Sequence, residues 1–208
     1  MDQDPVLARR RLLTAGAGLT AVAGATLAGV ATATQVEAPN AAALQQLLDK
    51  QAIAEVLHTY PRALDRLDRD MLLSLGHPDG VVEFGKTRFD TWASFVDWLM
   101  AAHVDMLANN HRMTNMVIKV RGNRGASETT GTAFLLVANG KDQIEERYMH
   151  TRYLDSWSKR GGRWAIDKRQ TLTDYRRVDT YPAAEVMARS SIGERLGRND
   201  PSYRLFDF

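Results

Sequence analysis

Apolar residues Leu44, Leu47, Leu48, Ile53, Val56, Leu57, Tyr60, Leu64 and Leu67 recur three or four positions apart over residues 41–68. That spacing lays one apolar stripe along an α-helix. Pro61 falls inside the run and removes the amide that would bond to Leu57, which predicts a kink or a break there. A short second helix is predicted over 69–75, stopped by Gly76 and the turn residues His77-Pro78-Asp79-Gly80, with a short strand over 81–84 after it. Thr91 is placed to cap a third helix whose buried face carries Trp92, Phe95, Val96, Leu99, Met100, Val104 and Leu107. From 111 onward the pattern becomes long β-rich runs, 111–121, 126–138, 144–158 and 163–176. They are separated by the turn signals Gly122-Asn123-Arg124-Gly125, Asn139-Gly140 and Arg160-Gly161-Gly162. Helices first and a meander after them predict an α+β fold, with three N-terminal helices on one face of a curved antiparallel or mixed sheet that wraps into a cone. A last helix is expected over 183–196, in a tail (179–208) whose apolar Leu205, Phe206 and Phe208 would cover a cavity or meet a neighbouring subunit.

The first 33 residues do not fit that domain pattern. Arg9-Arg10-Arg11-Leu12-Leu13 matches a twin-arginine export signal, and the uncharged run 15–33 that follows ends in the small-x-small site Ala31-Thr32-Ala33. A membrane anchor is the alternative, since such a run can cross the bilayer, but its glycines and threonines leave it weakly apolar. The reading is therefore a removable signal over 1–33, a cone domain over 34–178, and a periplasmic or otherwise exported product with no membrane anchor after cleavage. Taking Asp2, Asp4, Arg9, Arg10 and Arg11 from the totals of 27 basic and 25 acidic residues leaves the remainder near neutral, so the whole-chain pI of about 9.0 does not mark a nucleic-acid binder. No cysteine is present, which removes disulfides and thiolate metal sites, while 44% apolar composition suffices for one core.

Candidate chemistry lies where helix and strand patterns meet. Tyr60 shares a helix face with Ile53, Val56, Leu57 and Leu64, so its ring points inward, as a core tyrosine or as a site phenol. Asp65 stands among Arg62, Arg66 and Arg69, which by itself suggests exposed helix ion pairs. Strand alternation puts His111, Met113, Asn115 and Val117 on one side, against Arg112, Thr114, Met116, Ile118 and Val120 on the other. His58, His77, His103 and His150 have no such company, and the chain has neither a paired-histidine metal motif nor a glycine-rich dinucleotide turn. Arg169 has the opposite strand parity to Trp164 and Ile166, so one set faces away unless a bulge intervenes. Glu145, Glu146, Arg147 and Arg152 read as a solvated or subunit-facing surface, with Arg152 an alternative cavity residue.

The order of elements, Ala63-Leu64-Asp65-Arg66-Leu67-Asp68 at the helix end, His111-x-x-x-Asn115, and Arg163-Trp164-Ala165-Ile166 after a Gly-Gly hairpin resemble the SnoaL-like branch of the nuclear-transport-factor-2-like superfamily. Within it the chain is most similar to the group containing scytalone dehydratase, bile-acid 7α-dehydratase and hexachlorocyclohexane dehydrochlorinase. The resemblance implies an Asp65–His111 dyad at the mouth of an apolar cone, with Tyr60 matching the dehydratases' tyrosine and Arg169 a cavity arginine. Met113, Asn115 and Trp92 are the candidate substrate contacts. The implied function is a lyase that uses no metal or organic cofactor and eliminates from a small apolar, aromatic or polycyclic substrate, aldehyde-releasing C–C cleavage included. The alternatives are a proton-shift isomerase, a binder of hydrophobic ligands and a partner protein like a dioxygenase β subunit. A homo-oligomer, dimer or trimer, is expected.

Overall fold

A computed structural model describes residues 40–194 and 197–206, which lie in the compact unit Pro39–Phe208. The expected export signal, 1–33, lies outside the described residues. Helix α1 (Ala41–Asp65) starts where the Asn40 side chain accepts the Ala43 amide at 2.7 Å, one of the orphan donors of a helix start. It runs through Pro61 as one helix. Leu67 then takes a left-handed φ of 52°, and the Asp68 amide reaches back to the Ala63 carbonyl at 2.8 Å. This C-terminal hook ends the helix at Asp65 rather than at 68. Asp68 at once caps α2 (Arg69–Leu73) by accepting the Met71 amide.

Strand β1 (Gly76–Phe84) begins earlier than the turn signal suggests: residues 77–80 occupy a register shift within it, between Gly76 paired with Ile166 and Val81 paired with Lys168. A short β2 (Thr87–Phe89), with no counterpart in the sequence reading, turns back on it. Helix α3 (Trp92–His103) has the expected Thr91 cap, but it stops at His103, so Val104 and Leu107 are exposed rather than on its buried face. The meander is β3 (Ala108–Arg121), β4 (Arg124–Asn139), β5 (Gln143–Arg160) and β6 (Arg163–Pro182). The strands form one mixed sheet ordered β2-β1-β6-β5-β4-β3, with β1 parallel to β6. The fold is α+β, of the cone class.

One cluster joins the helices to the sheet. Ile53, Leu57, Tyr60 and Leu64 of α1 and Trp92, Phe95, Val96 and Leu99 of α3 pack with Val82, Tyr153, Trp157, Trp164 and Ile166. Burying a side chain such as Leu57 or Phe95 contributes about 1.5–3 kcal/mol. Two bulges decide which strand residues face this cluster. In β3 the register slips between Thr114 and Met116 as Asn115 adopts a φ of 46°. Met116, Ile118 and Val120 thereby move to the inner side with Met113, and Asn115 is left exposed. In β6, Ser156 pairs with Lys168 while Trp157 pairs with Ile166, so Asp167 is the extra residue. That bulge turns Arg169 to the same side as Trp164 and Ile166 and resolves the parity conflict.

After β6 the chain forms α4 (Ala183–Arg189), shorter than the expected 183–196, and ends in α5 (Pro201–Leu205). This tail fastens to the end of α1: the Tyr203 hydroxyl donates to Asp68 at 2.7 Å, and Arg66 pairs with Asp200 at 3.0 Å. Among the described residues, no helix is long and apolar enough to cross a membrane.

Candidate active site

The last residue of α1 and the start of β3 meet beside a cavity. Asp65 accepts the His111 backbone amide on both oxygens, at 3.0 and 3.2 Å, and also the imidazole Nδ1 at 2.7 Å. Both side chains are only about a tenth exposed (10% and 9%), so this pair is screened far less than a surface one. A carboxylate can only accept, so Nδ1 carries the proton and the basic lone pair sits on Nε2, at the other edge of the ring. Fixing that tautomer and supporting an imidazolium are what a general base needs from its partner. The local expectation of Asp65 paired with its arginines fails because each arginine has another partner. Arg62 bonds Ser202 at 3.0 Å, Arg66 pairs with Asp200, and Arg69 pairs with Asp97 at 2.8 Å.

His111 lines a cavity of about 250 Å³. Its walls are mostly apolar, with Leu64, Phe84, Trp98, Leu99, Met106, Ala133, Leu135 and Met149. The polar side chains set among them are Tyr60, His103, Thr132, Arg147, Thr151 and Tyr153. Tyr60 is 1% exposed, and its ring meets Tyr153 edge-on with centroids 5.8 Å apart. Burial pushes the Tyr60 phenol up and the neighbouring Arg169 charge opposes that in part, so at neutral pH it is a protonated donor. Gly131 makes room for this arrangement, since a Cβ there would lie 2.5 Å from the Tyr153 ring.

Several predicted residues sit elsewhere. Arg169 is fully buried behind the tyrosines, not among the lining residues. Its guanidinium carbon is 4.4 Å from the Tyr60 ring centre and 4.7 Å from that of Tyr153. It grips Asp155 through two bonds of 2.8 and 2.9 Å, the two-pronged geometry of an arginine fork. Burial works against its charge, but Asp155 outweighs burial and holds the guanidinium protonated. Trp92 is core: its indole donates to the Leu72 carbonyl at 2.9 Å and lies over Gly76, where a Cβ would come within 2.2 Å of the ring. Asn115 is exposed on its bulge, and Met113 packs on the core beside Gly131, outside the cavity lining. Arg152 pairs with Asp174 at 2.8 Å, and no described tail residue lines the cavity.

Five polar lining residues were missed, Thr132, Thr151 and Tyr153 together with His103 and Arg147. His103 falls four residues after Leu99 on the apolar stripe of α3, a placement that points it inward. Arg147 shares strand parity with Met149, Thr151 and Tyr153, all of which line the cavity, and it pairs with Glu145 at 2.7 Å. Among the described residues no group of histidine and acidic side chains is arranged to hold a metal ion.

The α+β cone fold defines the class, and the sequence places the chain within it. Residues 45–170 match the SnoaL-like domain, and the chain belongs to that family. No curated protein is similar enough in sequence to match. Among solved structures, the fold is similar to a type 2 hexachlorocyclohexane dehydrochlorinase, at 16% identity and a TM-score of 0.60, over 65% of this chain and 92% of that one. A protein of Novosphingobium aromaticivorans provisionally assigned as a scytalone dehydratase gives 17% identity and a TM-score of 0.57, over 63% and 87% of the two chains. A nuclear-transport-factor-2-like superfamily protein of Salmonella enterica serovar Typhimurium gives 16% and 0.55, over 62% and 93%. At these identities the likeness is one of fold.

Proposed function

We propose that the protein is a lyase whose base is His111, acting without a cofactor on a small apolar substrate, aromatic or polycyclic in type, that carries an acidified C–H bond. The observation that supports this is the dyad: an imidazole lining an apolar cavity, with Nδ1 held by a buried carboxylate at 2.7 Å. In this reading Nε2 of His111 takes the proton and Asp65 stabilises the imidazolium. The Tyr60 hydroxyl donates to the oxygen on which charge develops. Arg169 touches no substrate and holds the Tyr60 ring from behind. A proton-shift isomerisation uses the same first step and differs only in where the proton returns. Two of the similar folds belong to a dehydrochlorinase and a protein assigned as a dehydratase, which favours elimination.

Nitrobenzisoxazole tests the base directly, because removal of its one acidic C–H proton opens the ring to a coloured phenolate without further assistance. The protein is expected to accelerate this opening, and His111→Ala to lower the rate by about 10² or more. Equal rates in both proteins would overturn the assignment. A ligand-binding role without chemistry is the second reading, favoured by the apolar walls. It requires that a fluorescent apolar probe bind His111→Ala as tightly as the parent while neither opens the benzisoxazole.

A further inference from the structure

We propose that Arg147 and Arg176 form a carboxylate-binding subsite on the β5–β6 wall of the cavity, so that the substrate is an aromatic acid held by its carboxylate while its reacting C–H faces His111. The inference rests on His111 being the base and adds what holds the other end of the substrate. Arg147 lines the cavity, and its side chain is 30% exposed. It binds Glu145 through Nε at 2.8 Å and through Nη2 at 2.7 Å, both to the same oxygen, Oε2. That contact uses the side edge of the guanidinium. The end edge, with one N–H from Nη1 and one from Nη2, keeps two parallel donors, the arrangement that a planar carboxylate accepts in a two-pronged pair.

A bulge brings the second arginine to the same face. The β5–β6 register slips where His150 pairs with Tyr175 and Thr151 with Thr173, so Asp174 is the extra residue. Arg176 thereby pairs with the cavity-lining Met149, and Tyr175 goes to the opposite face with His150. Arg147 pairs with Val178, so the two arginines are diagonal neighbours across the ladder, a separation of about 7–8 Å that long side chains span. Arg177, on the other face, pairs with Asp179 at 2.8 Å, whereas the exposed Arg176 pairs with no carboxylate among the described residues. Two guanidinium charges against the one carboxylate of Glu145 leave an excess of positive charge, which an anionic group between the arginines neutralises.

The register sets the length of the substrate. His111 pairs with Ala133 and Ala133 with Met149, while Arg147 lies two residues along β5 from Met149, opposite Leu135. Two strand spacings across and two residues along separate the His111 and Arg147 backbones by ~12 Å. With both side chains reaching inward, that span suits an aromatic acid of one or two fused rings resting on Ala133, Leu135 and Met149. The carboxylate takes no part in the bond changes. It fixes which C–H meets Nε2 of His111.

Calorimetric binding of 2-naphthoate and of its neutral isostere 2-naphthamide to the full protein tests the subsite without requiring turnover. Naphthoate is expected to bind more tightly at neutral pH by about 10-fold or more, with the margin shrinking as salt is raised. Glu145→Gln, which frees the side edge of Arg147 as well, is expected to widen the margin several-fold. Arg147→Met combined with Glu145→Gln strands no carboxylate and is expected to abolish the margin while naphthamide still binds. Arg176→Met, at an exposed position, is expected to reduce the margin several-fold and keeps the test open if the Arg147 variant fails to fold. Equal affinity of the parent for the two probes, binding of neither, or a margin that survives both arginine replacements overturns the subsite. The base and the subsite fail separately. A naphthoate preference in a protein whose benzisoxazole opening survives His111→Ala keeps the carboxylate site and removes the base, and opening that depends on His111 with no naphthoate preference does the reverse.

Discussion

At the scale of single residues, the site depends on one carboxylate having no better partner than an imidazole. Reading Asp65 from its neighbours alone points to helix ion pairs, because Arg62, Arg66 and Arg69 are adjacent or one turn away. Their real partners, Ser202, Asp200 and Asp97, are distant in sequence, and no local rule reveals them. The resemblance to known dehydratases carried the dyad instead. Asp65→Asn keeps the shape and one acceptor but removes the charge facing the imidazole. It is expected to lower benzisoxazole opening by about 10², measured as kcat/KM, whereas a purely positional role would cost only a few-fold. The cavity phenols offer a second check. Burial raises the pKa of Tyr60 and Tyr153 above the ordinary value of 10.0, so the folded state favours the neutral form. The stability this supplies is fully present below pH 10 and is lost as pH rises above it, when the unfolded chain ionises and the folded one does not. Burial and a bond to Asp68 push Tyr203 up to about 12 as well. Ultraviolet titration is expected to show the Tyr60 and Tyr153 phenolates only as the fold is lost, and Tyr60→Phe should remove part of the alkaline-step amplitude. Phenolate signal from Tyr60 near pH 10 in folded protein would contradict the buried placement.

At the scale of elements, apolar spacing located the three helices and all four long strands, since each buries one continuous face. Bulges were not legible. A strand that slips by one residue looks the same in sequence as one that does not, and two of the slips here fall at Asn115 and Asp167. The first removed Asn115 from the cavity side, although asparagine at a left-handed position is itself the kind of residue a bulge favours. The second carried Arg169 inward, to a place where it meets the Asp155 carboxylate, across the ladder on β5. Such a pair is costly to break and of little net benefit to keep. Arg169→Ala is expected to destabilise by about 3–5 kcal/mol, because it strands the Asp155 charge in the core. Arg169→Met combined with Asp155→Leu should recover most of that loss in chemical denaturation. If the double variant is as unstable as the single one, the arginine's stacking on Tyr60 and Tyr153 matters more than its charge.

At the scale of the whole molecule, fold class was the most legible property and the composition of the cavity the least. Turn signals and periodicity act locally, and they sum to an α+β order without long-range information. The cavity draws on α1, β1, α3, β3, β4 and β5 at once, so His103 and Arg147 become visible only when those elements are assembled. Trp92 shows the converse, a residue whose inward face was read correctly and whose neighbours, Leu72 and Gly76, were not. The remaining whole-molecule property is where the chain operates. A fold with no cysteine needs no oxidising compartment to close, so it can be complete before it crosses a membrane, which is the kind of cargo a twin-arginine signal carries. We propose that Arg9 and Arg10 direct the chain to that route and that the mature protein starts after Ala33. Replacing both with lysine is expected to keep the chain in the cytoplasm at full length, while N-terminal sequencing of the exported parent should begin at Thr34. An exported protein still beginning at Met1 would make the segment an anchor, and export unaffected by the lysines would assign it to another route. The domain itself provides the control: a chain beginning at Pro39 should open nitrobenzisoxazole at the parent rate, since every described residue lining the cavity lies between Tyr60 and Tyr153.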